Sequence, residues 1–71
     1  MVAKLDAYNY ELLPGAIRIH INGTNDPDVC DIMSEVHRSN GNIYVEGFRF
    51  LYLNNYRLTP SYMELDVEET A

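Results

Sequence analysis

One segment of this 71-residue chain has the spacing of a helix, and segments that alternate between apolar and polar residues lie on both sides of it. Asp26 supplies an N-cap acceptor, and Pro27 follows it where the missing N–H costs nothing. The next three turns carry one apolar stripe, formed by Val29, Ile32, Met33 and Val36. Asn40 and Gly41 favour a left-handed stop. The sequence therefore predicts a helix over residues 27–39.

Before this helix, the sequence predicts a hairpin over residues 7–22. Apolar side chains alternate with polar ones in both halves of it, namely Tyr8, Tyr10 and Leu12, then Ile17, Ile19 and Ile21. Pro14 and Gly15 between the halves are a good central pair for a type II turn, because proline fixes the first φ and glycine accepts the positive one. A helix near residues 3–13 is the competing interpretation.

After the helix, two further alternating segments predict two more strands, the second of them interrupted at Pro60. Ile43 and Val45 share a face, and beyond Gly47 the large apolar side chains change phase, becoming Phe48, Phe50 and Tyr52. A glycine at such a phase change predicts a β-bulge, and it places Leu51 and Leu53 opposite the core. Asn54 and Asn55 then predict a two-residue turn, since asparagine tolerates positive φ.

Beyond Pro60, which lacks an N–H donor and so predicts an edge position or a break, three apolar residues alternate with acids, namely Met63, Leu65 and Val67. The predicted fold class is α+β, in the order β-β-α-β-β, with a mainly antiparallel sheet and one helix packed on one face. The length predicts a single small domain over residues 1–71. Cys30 is the only cysteine, so no internal disulfide can add stability, and self-association is the expected source of further burial.

The charge balance predicts which partners the chain attracts. Eleven acidic residues outnumber five basic ones, giving a net charge of −6. Such a chain repels nucleic acid and anionic membranes and attracts basic protein surfaces. It contains no apolar run of about 18–20 residues that could span a membrane, and its start lacks the features of a signal peptide. We therefore expect a cytoplasmic protein with no direct nucleic-acid or membrane binding.

Arg18 and His20 share the outer face of the predicted strand over residues 17–22. One interpretation pairs them with acids of the last strand, whose outer face offers Glu64, Asp66 and Glu68. The other interpretation makes them part of a site for a partner or an anionic ligand, beside exposed tyrosines. A second apolar surface is predicted opposite the core, formed by Tyr44, Leu51, Leu53, Tyr56 and Tyr62. Because one helix cannot cover two apolar faces, this surface predicts a homodimer.

The residues with catalytic or metal-binding potential do not form a recognisable motif. Cys30 and His37 lie seven residues apart on one side of the helix, but a zinc site needs four ligands, usually in close pairs. Cys30 is expected to act as a small buried hydrophobe. No nucleotide-binding or metalloprotease motif is present. We therefore predict a protein that is not an enzyme, with no metal and no cofactor.

The acids form two rows. Asp28, Asp31 and Glu35, the helix acid row, occupy one stripe of the predicted helix away from its apolar side. The second row lies on the last strand, has no basic residue in it, and consists of Glu64, Asp66, Glu68 and Glu69. Rows of carboxylates resemble a nucleic-acid backbone in charge, although a solvated helix face and an acidic tail explain them equally simply.

These patterns favour a small acidic binding protein that inhibits or modulates a partner with a basic, nucleic-acid-handling surface. A protein encoded by a phage or mobile element would fit this description. One alternative is a homodimeric module that binds a small ligand or nucleotide through Arg18, His20 and nearby tyrosines. A second alternative is an accessory subunit of a larger assembly, docked through its exposed aromatic residues.

Overall fold

The computed structural model describes residues 2–45 and 50–69, and of Phe50 it describes the backbone alone. These residues form a small α+β fold with one helix and six strands, which confirms the predicted class. The helix, α1, is Pro27–Arg38. The strands are β1 (Ala3–Lys4), β2 (Tyr10–Leu13), β3 (Ala16–His20), β4 (Asn42–Tyr44), β5 (Phe50–Leu58) and β6 (Tyr62–Glu69).

All six strands join one mixed, curled sheet in the order β1-β4-β5-β6-β3-β2. Every neighbouring pair is antiparallel except β1 and β4, which run parallel. The sheet therefore has more strands than the predicted β-β-α-β-β order. The competing prediction of a helix near residues 3–13 is wrong, because that segment contains β1 and β2.

Both ends of α1 follow the sequence prediction. The Asp26 carboxylate accepts hydrogen bonds from the backbone N–H groups of Asp28, at 2.9 Å, and of Asn22, at 2.8 Å. At the other end, Asn40 adopts a φ of 57°. The Gly41 N–H donates to the Val36 carbonyl, and the Asn40 N–H donates to the His37 carbonyl. These two bonds form a Schellman motif, which satisfies carbonyls that the helix end would otherwise leave unpaired.

The predicted N-terminal hairpin is present as β2 and β3. Tyr10 pairs with Ile19, and Leu12 pairs with Ile17. Gly15 has a φ of 76° in the connecting turn, as the third residue of a type II turn requires. The sequence thus predicts this hairpin because turn chemistry and alternation agree.

The prediction of a turn at Asn54 and Asn55 is wrong. Strand β5 runs through both residues, and its register against β6 shifts between Leu53 and Asn55. Within the described ranges, Asn40 is the one non-glycine residue with positive φ, so neither asparagine adopts the conformation that such a turn needs. The chain reverses instead around Pro60, where the Thr59 N–H donates to the Tyr62 carbonyl at 2.9 Å.

The predicted phase of β5 is also wrong. Leu51 is only 8% exposed and pairs with the fully buried Ile43, so it faces the core, and Leu53 packs against the core as well. Tyr52 is on the opposite side and is 41% exposed. The predicted bulge at Gly47 lies outside the described residues, as does Phe48.

The core lies between α1 and one face of the sheet. Ile32 and Val36 of the helix are buried, and Val29 and Met33 are partly buried beside them. The sheet contributes mainly aliphatic side chains from its central strands and β4, namely Ile17, Ile19, Ile43, Met63 and Leu65. Full burial of each such side chain contributes roughly 1.5–3 kcal/mol. Packing of α1 on this face fixes which side of the helix, and therefore which acids, point outward.

No helix within residues 2–45 and 50–69 has the length and hydrophobicity of a membrane-spanning segment.

Candidate functional site

The helix acid row lies along one flank of α1, next to the stripe that packs against the core. Asp28 and Asp31 are exposed and Glu35 is half-buried, whereas Ile32 and Val36 in the stripe are buried. Within residues 2–45 and 50–69, no lysine or arginine comes within 4.0 Å of these three carboxylates. Lys4 and Arg38 border the same shallow depression as Glu35 without forming such an ion pair. The row therefore retains its negative charge.

Tyr8 reports on the electrostatic field of this row. Its side chain is half-buried against the core. The pKa of the Tyr8 phenol is raised by burial and then by the negative charges of Glu35, Asp31 and Asp28. Ionisation of the phenol would add a fourth negative charge, so it is disfavoured. Sequence reasoning does not place Tyr8 beside the row, because only the fold brings the two segments together.

Asp26 is acidic but does not belong to the row. Its two backbone hydrogen bonds, from Asn22 and Asp28, keep the pKa of its carboxyl below the usual value. The two bonds join the loop before α1 to its first turn, so the Asp26 carboxylate already has partners within the fold. The row begins two residues later, at Asp28 in the first turn of α1.

The second predicted acid row is not a single exposed surface. Glu64 is only 7% exposed, and it lies between two arginines on the sheet face opposite the core. Arg18 donates from Nε at 3.2 Å and from Nη2 at 2.9 Å to Glu64 Oε1, and Arg57 donates from Nη2 at 2.6 Å to Oε2. These three residues form the arginine–glutamate cluster. Glu64 is therefore removed from the predicted partner-binding acids.

The cluster also restrains Arg18. The Arg18 Cζ atom lies 4.3 Å from the centre of the Tyr62 ring, which is a cation–π distance. Its hydrogen bonds to Glu64 raise the pKa of Arg18. The same contacts lower the pKa of Glu64, with the bonds from Arg18 as the largest cause and those from Arg57 next. The interpretation that pairs Arg18 with an acid of the last strand is correct.

His20 and the remaining acids of β6 differ from Glu64. His20 lies opposite Tyr62 in the β3–β6 pairing and is exposed, so it has no acid across from it in that register. Asp66 is half-buried opposite Ala16, and Glu68 is exposed near the end of β6.

Arg57 is the member of the cluster that sequence reasoning missed. Arg57 lies directly opposite Glu64 because β5 continues past Asn55, where the sequence predicts a turn.

The predicted aromatic interface is divided between the two sheet faces. Side chains of directly paired residues share a face. Tyr56 pairs with the core residue Leu65 yet is 48% exposed, whereas Tyr62 pairs with His20 on the other face. Leu51 and Leu53 face the core, as described above, and Tyr44 is half-buried on the opposite side. The five predicted residues therefore do not form one docking surface.

Cys30 and His37 lie along an open depression beside α1. Both side chains are exposed, so the expectation that Cys30 is buried is wrong. The depression is also lined by Val29, Met33 and Ser34. Over the described part of the chain, no group of three or more histidine, cysteine, aspartate or glutamate side chains could hold a metal ion.

Comparisons with known proteins give no further assignment. No protein-family model matches the chain, and no curated protein or solved structure matches it. The functional interpretation therefore depends on the surfaces described above.

Proposed function

We propose that this protein is a small, non-catalytic binding protein that docks the helix acid row on the basic surface of another protein. The observation that supports this best is the row itself, three carboxylates along one flank of α1 without an ion pair to any described cation. Unpaired surface charges of one sign raise the association rate with a complementary partner and align it.

The spacing of the row suits a partner that handles nucleic acid. A rise of about 1.5 Å per residue separates the three carboxylates by about 4.5 and 6 Å along the helix axis. One strand of DNA carries about one charge per 3.4 Å of axis. The two charge densities are of the same order, so a basic groove made for phosphates could accept the row. Such binding would inhibit or modulate the partner, and a cytoplasmic protein of a phage or mobile element is the setting we propose.

The proposed small-ligand module has weaker support. It needs Arg18 to bind an anion, but that guanidinium already contacts Glu64 and the Tyr62 ring. A homodimer remains a proposal, and the exposed Tyr56 and Leu58 are better candidates for its interface than the residues predicted from sequence.

The test is affinity capture from a lysate of the native host, with the captured proteins quantified by mass spectrometry. The bait variant replaces the helix acid row by uncharged analogues, with Asp28→Asn, Asp31→Asn and Glu35→Gln. A control bait gains the same three units of positive charge at exposed positions outside α1, with Asn54→Lys, Ser61→Lys and Glu68→Gln. We expect the row variant to lose at least about tenfold of the captured partner, and the control to lose less than about threefold.

The captured partner is then tested for competition with a short DNA or RNA duplex. Displacement of the nucleic acid by the wild-type protein supports the proposed function. Equal capture by the wild type and the row variant would show that the helix acid row is not the docking surface.

A further inference from the structure

Two stretches of strand have no neighbouring strand on one side among residues 2–45 and 50–69. The first is β2, the outermost strand at one end of the sheet. The second lies in β5, because β4 pairs only with residues 50–52 of that strand. Residues 54–58, which continue beyond the end of β4, are all exposed. We call these stretches the β2 edge, Tyr10–Leu13, and the β5 edge, residues 54–58.

The backbone of the β2 edge can accept another strand. The His20 N–H of β3 donates to the carbonyl of Asn9, just before β2, at 2.9 Å. In an antiparallel pair, residues bonded in this way alternate with residues whose N–H and C=O point to the other side of their strand. Tyr10 and Leu12 therefore direct their backbone groups away from β3. Their side chains pack against the core, whereas Glu11 is exposed on the opposite face.

The β5 edge has the same alternation. The Thr59 N–H donates to the Tyr62 carbonyl at 2.9 Å, so Tyr56 and Leu58 direct their backbone groups away from β6. The Tyr56 N–H donates to Oδ1 of Asn55 at 2.9 Å in an exposed hydrogen bond. Within the part of the chain that the structure describes, the Tyr56 carbonyl and both backbone groups of Leu58 have no strand beside them.

The side chains of the β5 edge are unusually open for their positions. Tyr56 and Leu58 are 48% and 39% exposed, although they pair with the core residues Leu65 and Met63. Arg57 lies between them on the opposite face, and its side chain is 70% exposed. One nitrogen of Arg57 binds Glu64, and a guanidinium has five N–H donors. Arg57 therefore keeps donors for a second carboxylate.

The charges of the two edges are complementary. Within the described ranges Glu11 has no ion pair shorter than 4.0 Å, and Arg18 across from it is bound to Glu64. If the free backbone groups of the two edges are joined antiparallel, Glu11 lies opposite Arg57 of a second copy. That pair is not hydrogen-bonded through its backbone, so its side chains are close together. On the core face, the same alignment pairs Tyr10 with Leu58 and Leu12 with Tyr56.

Pairing of identical edges is less favourable. Two β2 edges aligned through Tyr10 and Leu12 place Glu11 opposite Glu11 of the other copy. Two β5 edges aligned through Tyr56 and Leu58 place Arg57 opposite Arg57. Like charges directly opposite each other destabilise a strand pair. Each edge therefore favours the other edge of a second copy.

We propose that the protein self-associates by strand addition, with the β2 edge of one copy paired antiparallel with the β5 edge of a second copy. This inference goes beyond the proposed function and does not use the helix acid row. Because β2 and β5 run in opposite directions within one copy, successive copies keep the same orientation. Every α1 then lies on one side of the joined sheet, and the head-to-tail contacts close into a ring or continue as a chain.

The first test is sedimentation velocity of the full chain from micromolar to millimolar concentration. We expect association that grows with concentration in the wild type. Glu11→Arg should weaken it at least about tenfold, because it places two cations opposite each other across the contact. The control Glu68→Arg changes the net charge equally at an exposed position outside both edges, and it should weaken association less than about threefold. Thermal melting verifies that both variants are folded.

The second test fixes the register without depending on the stability of Glu11→Arg. All proteins carry Cys30→Ser, because Cys30 is exposed. Glu11→Cys is mixed with Arg57→Cys in a glutathione redox buffer, and in the control it is mixed with Glu68→Cys. Directly opposed residues of such a pair have Cα atoms about 4.5 Å apart, which suits a disulfide. We expect at least about fivefold more cross-linked dimer from the first mixture.

Three results would each overturn the inference: a wild type that stays monomeric up to millimolar concentration, equal weakening by Glu11→Arg and Glu68→Arg, or equal cross-linking in the two mixtures. Each would leave the proposed function standing, because neither edge contains a residue of the helix acid row. Self-association that is lost in Glu11→Arg, together with lysate capture that is insensitive to the helix acid row, would support strand addition and overturn the proposed function.

Discussion

The helix acid row and the arginine–glutamate cluster contain the same kind of side chain in opposite circumstances. Asp31 is exposed with no described cation within 4.0 Å, whereas Glu64 is buried between Arg18 and Arg57. Both residues belong to alternating or helical patterns that predict an outward-facing acid. The pattern determines which face a carboxylate occupies, but the neighbouring strands determine whether its charge is available to a partner.

The largest effect is expected from a substitution in the core beneath α1, the helix that carries the acid row. Ile32→Ala leaves a cavity beneath α1, and we expect it to lower the free energy of unfolding by about 2–5 kcal/mol. The partly buried Met33 on the same helix gives the control, since Met33→Ala removes less buried surface and should cost less. Chemical denaturation measures both. Equal losses would mean that α1 is not packed through Ile32 as described.

The next substitution is directed at the cluster. Glu64→Gln removes the negative charge that both arginines contact, so it should lower the melting temperature by at least about 4 °C. The matched variant Glu68→Gln changes an exposed acid on the same strand and should shift the melting temperature by less than about 2 °C. Thermal unfolding followed by circular dichroism compares the two. A drop of the same size in both variants would contradict the distinction between paired and exposed acids.

The cluster also predicts a pH dependence. Its hydrogen bonds hold the pKa of Glu64 below the usual 4.5, so the stabilisation is complete above that pH and is lost as the pH falls toward the lower folded value. The difference in melting temperature between the wild type and Glu64→Gln should therefore narrow between pH 6 and about pH 3. Asp26 titrates in both proteins, and its contribution cancels. A difference that stays constant or widens would show that Glu64 is not ionised in the cluster.

Local chemistry allowed much of the fold to be predicted. The cap at Asp26, the left-handed stop at Asn40 and Gly41, and the turn at Gly15 depend on residues close in sequence, and all three are present. The pairing of Arg18 with an acid of the last strand was also predicted. Alternation places Arg18 on the outer face of β3 and Glu64 on the outer face of β6, and the two residues are opposite each other in the β3–β6 pairing.

The predictions that failed depend on long-range pairing. Asn54 and Asn55 are compatible with a turn, but they are also compatible with a register shift, and pairing with β6 selects the latter. That choice reverses the faces assigned to Leu51 and Leu53 and brings Arg57 to Glu64. Strand β1 has two residues, too few to show a period, and its parallel pairing with β4 is set by tertiary contacts. The exposed acids of α1 were predicted because their positions follow from the helix alone.

The most direct test of the helix acid row is the salt dependence of partner binding. The dissociation constant for the captured partner is measured between low and moderate salt for the wild type, Glu64→Gln and the row variant with Asp28→Asn, Asp31→Asn and Glu35→Gln. We expect a steep salt dependence for the wild type and Glu64→Gln, and a clearly shallower one with weaker binding for the row variant. An unchanged slope and affinity in the row variant would contradict a docking role for the helix acid row.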